Sequence, residues 1–223
     1  SSQEMRKIVV TGGEGLLGTK LCEFLSKKYE VISADINIPK EKKVYKVIKL
    51  DISNKEQTEK NILELSPDIV VHTAALTDVD FCELNHDKAK QINVDGTKNV
   101  IEACKKINAN LIFISSDFVF DGKNGPYDEA AIPNPISYYG KTKKQGEDIV
   151  KNSGLSYLIV RTTVLYGEHN EKISFVTWVV KQLKQGNQIN IVKDQYTTPT
   201  WVNDLANALV FLIEKNYFKK EIV

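Results

Sequence analysis

Sulfur and imidazole are scarce in these 223 residues, and the scarcity removes whole classes of chemistry. The three cysteines, Cys22, Cys82 and Cys104, are odd in number and form no C-x-x-C, which argues against a disulfide framework and a thiolate zinc site. That thiol usage suits a reducing cytosol, so a cytoplasmic location is expected. His72, His86 and His169 lack metal-ligand spacing, and no metal is expected. No apolar run approaches the roughly 18 residues that cross a bilayer, and no secretory or lipidation signal is read in the chain. An excess of one charge is missing too. Thirty basic residues against 29 acidic ones leave +1, with no field to draw nucleic acid or a membrane surface. Runs such as Lys40-Glu41-Lys42-Lys43 are short and mixed and read as solvated faces. Ser1 to Glu4, ahead of Met5, read as an appended remnant outside the fold.

What remains is an ordinary globular composition, 42% hydrophobic and 26% charged, enough for one large core or one core plus a small lobe. Strand-like and helix-like segments alternate, which predicts an α/β fold: a doubly wound, Rossmann-type parallel sheet covered by helices on both faces. The organising stretch is Lys7-Ile8-Val9-Val10-Thr11-Gly12-Gly13-Glu14-Gly15-Leu16-Leu17-Gly18, where a β-branched run turns through glycines into a helix. Gly12 permits the tight turn, Gly15 lets backbone approach a pyrophosphate, and Gly18 lets the helix pack closely on the sheet. An anion would sit at the helix N-terminus. Gly12, Gly15, Leu16, Leu17 and Gly18 are therefore cofactor-binding candidates. Gly13 and Gly18 have the spacing of a Walker A loop, but Thr19-Lys20 stands where Lys-Thr is needed, which argues against a P-loop ATPase.

Leu17, Leu21, Phe24 and Leu25 share one face of the first helix. A strand around Val31 to Ala34 ends at Asp35, about 20 residues past the turn, where a carboxylate accepts hydrogen bonds from an adenosine ribose and repels a 2′-phosphate. This favours NAD(H) over NADP(H), although Lys40, Lys42 and Lys43 lie near enough to blur the preference, and a solvent-exposed turn Asp is the alternative. A third strand, Val44 to Leu50, leads to Asp51 and Ile52, candidates for the adenine; Asp51 or Ser53 equally suits an N-cap of the helix Asn54 to Leu65. Ile69 to His72 form a fourth strand. After it, Ala74, Ala75 and Thr77 lie where small residues let backbone pass close to a ligand. A long helix is expected from about Cys82 to Ile107, carrying Asn93, whose alternative reading is a polar interior residue. Leu111 to Ile114 give a fifth strand.

Chemistry gathers beyond it. Ser115-Ser116-Asp117 leave that strand, and Tyr138 to Lys143 open a helix after Pro133 and Pro135. Tyr139 and Lys143, four apart, share a helix face. A nearby ammonium favours the phenolate and lowers a phenol's pKa, so such a tyrosine exchanges protons near neutrality, with Ser116 placed to hold a carbonyl or alcohol oxygen. Alone, a Y-x-x-x-K pair is usually a helix-surface pair; the upstream glycine fingerprint and strand-end serine give it weight.

These residues resemble the extended short-chain dehydrogenase/reductase family, and within it the dTDP-4-dehydrorhamnose reductases. The resemblance rests on Thr11 to Gly18, Ala74 to Asp80, Ser115 to Gly122, Tyr139 to Lys143, Arg161 to Gly167 and Asp194 to Thr200, and covers nearly the whole chain. Val-Phe-Asp-Gly at 119–122 separates this group from the epimerases and dehydratases. The resemblance implies an enzyme that reduces the 4-keto group of a dTDP-6-deoxy-keto-sugar with NAD(H) or NADP(H). It makes Tyr139 the general acid, and gives Lys143 the nicotinamide ribose and the tuning of Tyr139. Ser116 would align the keto oxygen and Asn93 support a proton relay, with Asp117, Phe118 and Val79 toward the sugar. Ser116 replaces a common threonine, Phe118 a frequent tyrosine, and Val164 a frequent tryptophan. The implied organisation is a dinucleotide-binding domain over 5–161 and an incomplete substrate lobe over 162–223, interwoven with it and built from Ile173 to Gln185, Ile189 to Val192 and Val202 to Glu214, with Glu221 starting a further strand. A monomer or a homodimer joined through the helices of Asn93 and Tyr139 is expected. The regulatory beta subunit of methionine adenosyltransferase, which binds a dinucleotide and acts through a partner enzyme, resembles the same family and is the alternative, as is an NAD-dependent nucleotide-sugar epimerase or dehydratase.

Overall fold

The innermost strand sets the layering. In β1 (Lys7–Thr11), successive side chains point to opposite faces, and Ile8, Val9 and Val10 are fully buried, so both faces must be covered. The computed structural model describes residues 5–119, 132–165, 191–194, 199–216, 218 and 221–222. Over these, β1 is followed by α1 (Leu16–Leu25), β2 (Glu30–Asp35), β3 (Lys46–Lys49), α2 (Lys55–Leu65) and β4 (Ile69–His72). Next come α3 (Val79–Leu84), α4 (His86–Lys90), a π-helical turn (Gln91–Gly96), α5 (Thr97–Ile107), β5 (Asn110–Ser116) and a 3-10 turn (Asp117–Val119). The series ends with α6 (Tyr138–Lys151), β6 (Tyr157–Leu165), β7 (Ile191–Asp194), α7 (Pro199–Glu214) and β8 (Glu221–Ile222).

All described strand pairs are parallel, in the order β3-β2-β1-β4-β5-β6-β7, with β8 pairing a separate stretch of β6. This is the expected doubly wound α/β sheet, and its strand order reverses between β1 and β4, where such folds open a crevice for ligands. Ile8 and Val10 point into one layer with Leu21 and Leu25 of α1; Val9, Ile32 and Val70 point into the other with Ile62 of α2 and Val100, Ile101 and Cys104 of α5. Cys22, Cys82 and Cys104 are buried free thiols. No helix among the described residues is long and apolar enough to cross a membrane, and no acid, His or Cys cluster there could hold a metal.

Four local expectations are corrected. The N-cap of α2 is Asn54, whose side chain accepts from the Gln57 N–H; Asp51 Oδ1 instead closes a local turn, accepting from Ser53 N (3.0 Å) and Oγ (2.6 Å). The helix expected from Cys82 to Ile107 is broken at Asn85, whose φ of −135° is not helical, and widens into the π turn around Asn93. Ser115 and Ser116 belong to β5 rather than leaving it, because both pair with β6. The helix assigned to the substrate lobe covers the sheet: Leu205, Leu209, Leu212 and Ile213 of α7 are buried against α1 and β1. At ~1.5–3 kcal/mol for each such side chain, this seat is integral to the core. Ile173 to Gln185, Phe120 to Gly122, Tyr166 to Gly167 and Gln195 to Thr198 lie outside the described residues.

Candidate active site

The glycine turn is built by exclusion. Gly12 has φ +66°, a left-handed conformation that glycine adopts without strain, and a Cβ there would lie 2.7 Å from Thr73 Oγ1 and 2.8 Å from Ala74 N. At Gly15 only the Gly12 carbonyl is near a built Cβ, at 3.3 Å, so the space above it is open to an approaching group. Gly18 packs on the turn itself rather than on the sheet, since a Cβ would meet Gly12 O at 2.2 Å. No side chain caps α1 and no acid occupies its first turn, which leaves its N-terminal amides for an anion. Leu16 is exposed beside them. Gly18→Ala is therefore expected to cost about 1–3 kcal/mol, as overpacking against fixed backbone does, read as a lowered denaturant midpoint. An unchanged midpoint would show that the turn can shift freely.

Asp35 stands next to this turn, its Oδ2 accepting from Glu14 N (3.0 Å) and its Oδ1 from Asn37 N (2.9 Å). The Glu14 side chain, which sequence reasoning passed over, is nearly buried: it accepts from Ser33 Oγ (2.6 Å) and Tyr45 Oη (3.3 Å). Lys43 Nζ lies 4.0 Å from Glu14 and 3.7 Å from Glu41, so this cation is engaged by acids. Asp51 and Ile52 sit at the end of β3's exit, with Ile52 buried beneath Gly96, where a Cβ would meet its Cδ1 at 2.8 Å.

Behind the β1/β4 crevice, Thr11 Oγ1 accepts from the N–H of Thr73 (3.1 Å) and Ala74 (3.3 Å), so its single proton goes to His72 Nδ1 at 2.7 Å. His72 Nε2–H then donates to Thr97 Oγ1 at 2.9 Å. Burial and the nearby Lys143 cation push the His72 pKa down to about 3, which keeps this tautomer neutral. Asn93, 1% exposed, accepts from Leu76 N (2.8 Å) and donates to Leu76 O (3.0 Å) and Thr142 Oγ1 (3.1 Å). It thereby ties the segment holding Ala74, Ala75 and Thr77 to α6.

Ser116 ends β5, and Tyr139 and Lys143 lie in the first two turns of α6, which packs against that strand. Ser137, in extended backbone, N-caps α6 by accepting from the Gly140 N–H, so the helix starts at Tyr138. Tyr139 and Lys143 share its buried face, 7% and 4% exposed. Lys143 Nζ donates to Ile114 O at 2.8 Å and lies 4.4 Å from the centre of the Phe113 ring, whose other neighbour is His72, stacked at 5.8 Å. Burial pulls the Lys143 pKa down to about 8, partly opposed by Glu147. Ser116 Oγ, on a residue 5% exposed, accepts from Phe118 N at 3.1 Å. Gly140 allows α6 to approach: a Cβ there would lie 2.1 Å from Phe118 O. The Phe118 ring meets Tyr139 edge-on at 5.8 Å, and Val79 packs in the same small cluster as Tyr139. The side chains of Asp117 and Val164 lie outside the described residues.

Sequence reasoning missed the floor of this site. Glu147, four residues past Lys143, accepts from Arg161 Nε (3.0 Å) and Nη2 (2.7 Å) and from Ser115 Oγ (2.5 Å), with Glu147 1% and Arg161 2% exposed. The signal was present as a continuation of the 139/143 stripe.

Residues 5–222 match the family described as the RmlD substrate binding domain. A dTDP-4-dehydrorhamnose reductase from Aggregatibacter actinomycetemcomitans is 32% identical over 214 residues, 95% of this chain and 68% of that protein. Methionine adenosyltransferase 2 subunit beta of Bos taurus is 36% identical over 220 residues, 97% of this chain and 65% of its own length. The chain thus spans about two thirds of these relatives. Among solved structures, the dTDP-4-dehydrorhamnose reductase of Bacillus anthracis, in complex with NADP, aligns with a TM-score of 0.74 at 31% identity, covering 100% of this chain and 76% of that one. A single match that takes in the glycine turn, the strand-end serine and the Tyr139–Lys143 helix, and continues to Ile222, places this chain within the family of the RmlD substrate binding domain.

Proposed function

We propose that this chain is a nicotinamide-dependent reductase acting on the 4-keto group of a dTDP-6-deoxy-keto-sugar, in the cytoplasm, as a monomer or homodimer. The observation that supports the reading is that Ser116 ends β5 while Tyr139 and Lys143 share the buried face of α6, in a chain whose glycine turn is open above Gly15. The residues present fit a dinucleotide: the turn is free of Cβ atoms where a pyrophosphate would approach, and Asp35 stands where a ribose would follow. Gly12, Gly15, Leu16, Leu17, Gly18, Asp35, Asp51, Ile52, Ala74, Ala75 and Thr77 would hold it, with Tyr139 and Lys143 at its nicotinamide end. When bound, it supplies the hydride.

Ser116 and Tyr139 hold the keto oxygen by hydrogen bonds, and Tyr139 gives that oxygen its proton as the carbon becomes an alcohol carbon. Lys143, cationic beside the phenol, eases this transfer by stabilising the phenolate left behind. Asn93 keeps the loop after β4 fixed, and Asp117, Phe118 and Val79 border the sugar. NAD(H) is favoured over NADP(H), because Asp35 opposes a 2′-phosphate while Lys43, one of the candidate cations, is turned toward Glu14 and Glu41.

The test is loss of reduced-nicotinamide absorbance with enzymatically prepared dTDP-4-keto-6-deoxysugar, with NADH and NADPH assayed separately and Tyr139→Phe as control. Turnover is expected with NADH ahead of NADPH and at least 100-fold reduced in Tyr139→Phe, the lower bound for a lost acid-base group. Cofactor binding without turnover would refute it. The likeness to the bovine regulatory subunit supports a second reading, a binding subunit for a partner enzyme; a stoichiometric partner recovered with a protein lacking turnover would favour it.

A further inference from the structure

Tyr139, Lys143 and Glu147 recur every four residues on the buried face of α6. The third has no place in the reaction described above, yet it is an acid 1% exposed, and burying a carboxylate is costly unless each oxygen finds a partner. Both do. Oε1 accepts from Arg161 Nη2, and Oε2 from Arg161 Nε and Ser115 Oγ. Ser115 and Arg161 are themselves opposite one another in the β5/β6 register, so one carboxylate joins α6 to two strands at the level of Ser116. A packing requirement alone would be met by apolar side chains of similar volume.

We propose that Glu147 is a positioning residue: its carboxylate, fixed by Arg161 and Ser115, keeps the buried Lys143 ammonium charged and aligned, and holds Ser116 in register with Tyr139. Tyr139 and Glu147 lie one turn to either side of Lys143 on α6; acting on it are Glu147, the Ile114 carbonyl and Phe113 ring from β5 and neutral His72 from β4, with Arg161 beyond Glu147 on β6. Among the described residues, Glu147 is the acid that acts on Lys143, and its charge works against the loss of the proton that burial promotes.

The role of Lys143 in turnover rests on the reductase reading; its charge state does not. Protein carrying ¹³Cε-lysine is titrated by NMR without substrate. One lysine is expected to titrate near 8, well below the rest, and to be missing in Lys143→Met. In Glu147→Gln that resonance is expected to titrate about one unit lower or more, whereas Glu147→Asp, which keeps the charge, leaves it near the wild-type position. Should Glu147→Gln fail to fold, the apolar pair Glu147→Met with Arg161→Met replaces it, and a downward shift is again expected, smaller than in Glu147→Gln because the more distant Arg161 cation is removed with the carboxylate. An unshifted titration in either variant overturns the proposal. Absence of reductase turnover would leave the titration standing, so the two readings fail separately.

Discussion

Lys143→Met is expected to lose about two to four powers of ten in turnover and yet to melt above the wild type at pH 7. The first effect follows from removing the cation that stabilises the Tyr139 phenolate, since positioned acid-base groups contribute about 10²- to 10⁴-fold. The second follows from burial. An ammonium 4% exposed, with its pKa pulled from the ordinary lysine value to about 8, is held charged at a cost of order 3 kcal/mol. Losing its hydrogen bond to the Ile114 carbonyl offsets about 1–3 kcal/mol of the gain. The net is roughly 1 kcal/mol, or about 2–4 °C for a chain of this size.

The sign with pH makes the test sharp. Below pH 8 both folded and unfolded chains hold the proton, and the penalty is fully present. Between about 8 and 10.4 the unfolded chain binds more protons than the folded one, so wild-type stability rises with pH through that window. Lys143→Met lacks this gain. Thermal melts at pH 7 and pH 10 should therefore cross: the variant higher at 7, the wild type higher at 10. A variant that is already less stable at pH 7, or one that keeps its turnover, contradicts the assignment.

Arg161→Met is expected to cost about 3–5 kcal/mol, a third or more of what holds a typical domain together. It removes two charge-assisted hydrogen bonds from Glu147 and leaves a buried carboxylate with Ser115 as its one remaining hydrogen-bond donor among the described residues. The loss comes from the orphaned charge, not from the value of the pair. Adding Glu147→Met should therefore recover most of it, although the double variant has lost more polar contacts. Urea unfolding of the three proteins reads this directly. A cost below about 1 kcal/mol for Arg161→Met would mean that Glu147 finds water or a proton cheaply.

Local features were the legible ones. The glycine turn announces itself because Gly12 must adopt a positive φ within a short segment, and the Tyr139–Lys143 pair because helix periodicity is local. Strand identities followed from continuous apolar runs such as Ile69 to His72. Partners far apart in sequence were opaque. Glu147 was not singled out, because its partner Arg161 reaches it only once β6 is laid beside β5 under α6. The π turn was hidden because its cause is a tertiary one, the Asn93 side chain bonding to both backbone groups of Leu76. The position of α7 was misplaced because an apolar stripe says that a helix is covered, never by what.

That position of α7 has a consequence for how the molecule is made. The stripe of α1 that bears Leu21 and Leu25 is closed over by Leu205, Leu209 and Leu212. Roughly 170 residues separate the two helices, so at about 5–20 residues per second a ribosome needs some 10–35 s between releasing one and the other. For that interval the first helix carries a bare greasy flank in the nascent chain. The order in which the strands and helices are threaded thus leaves this part of the core open until nearly the last of these residues has been made.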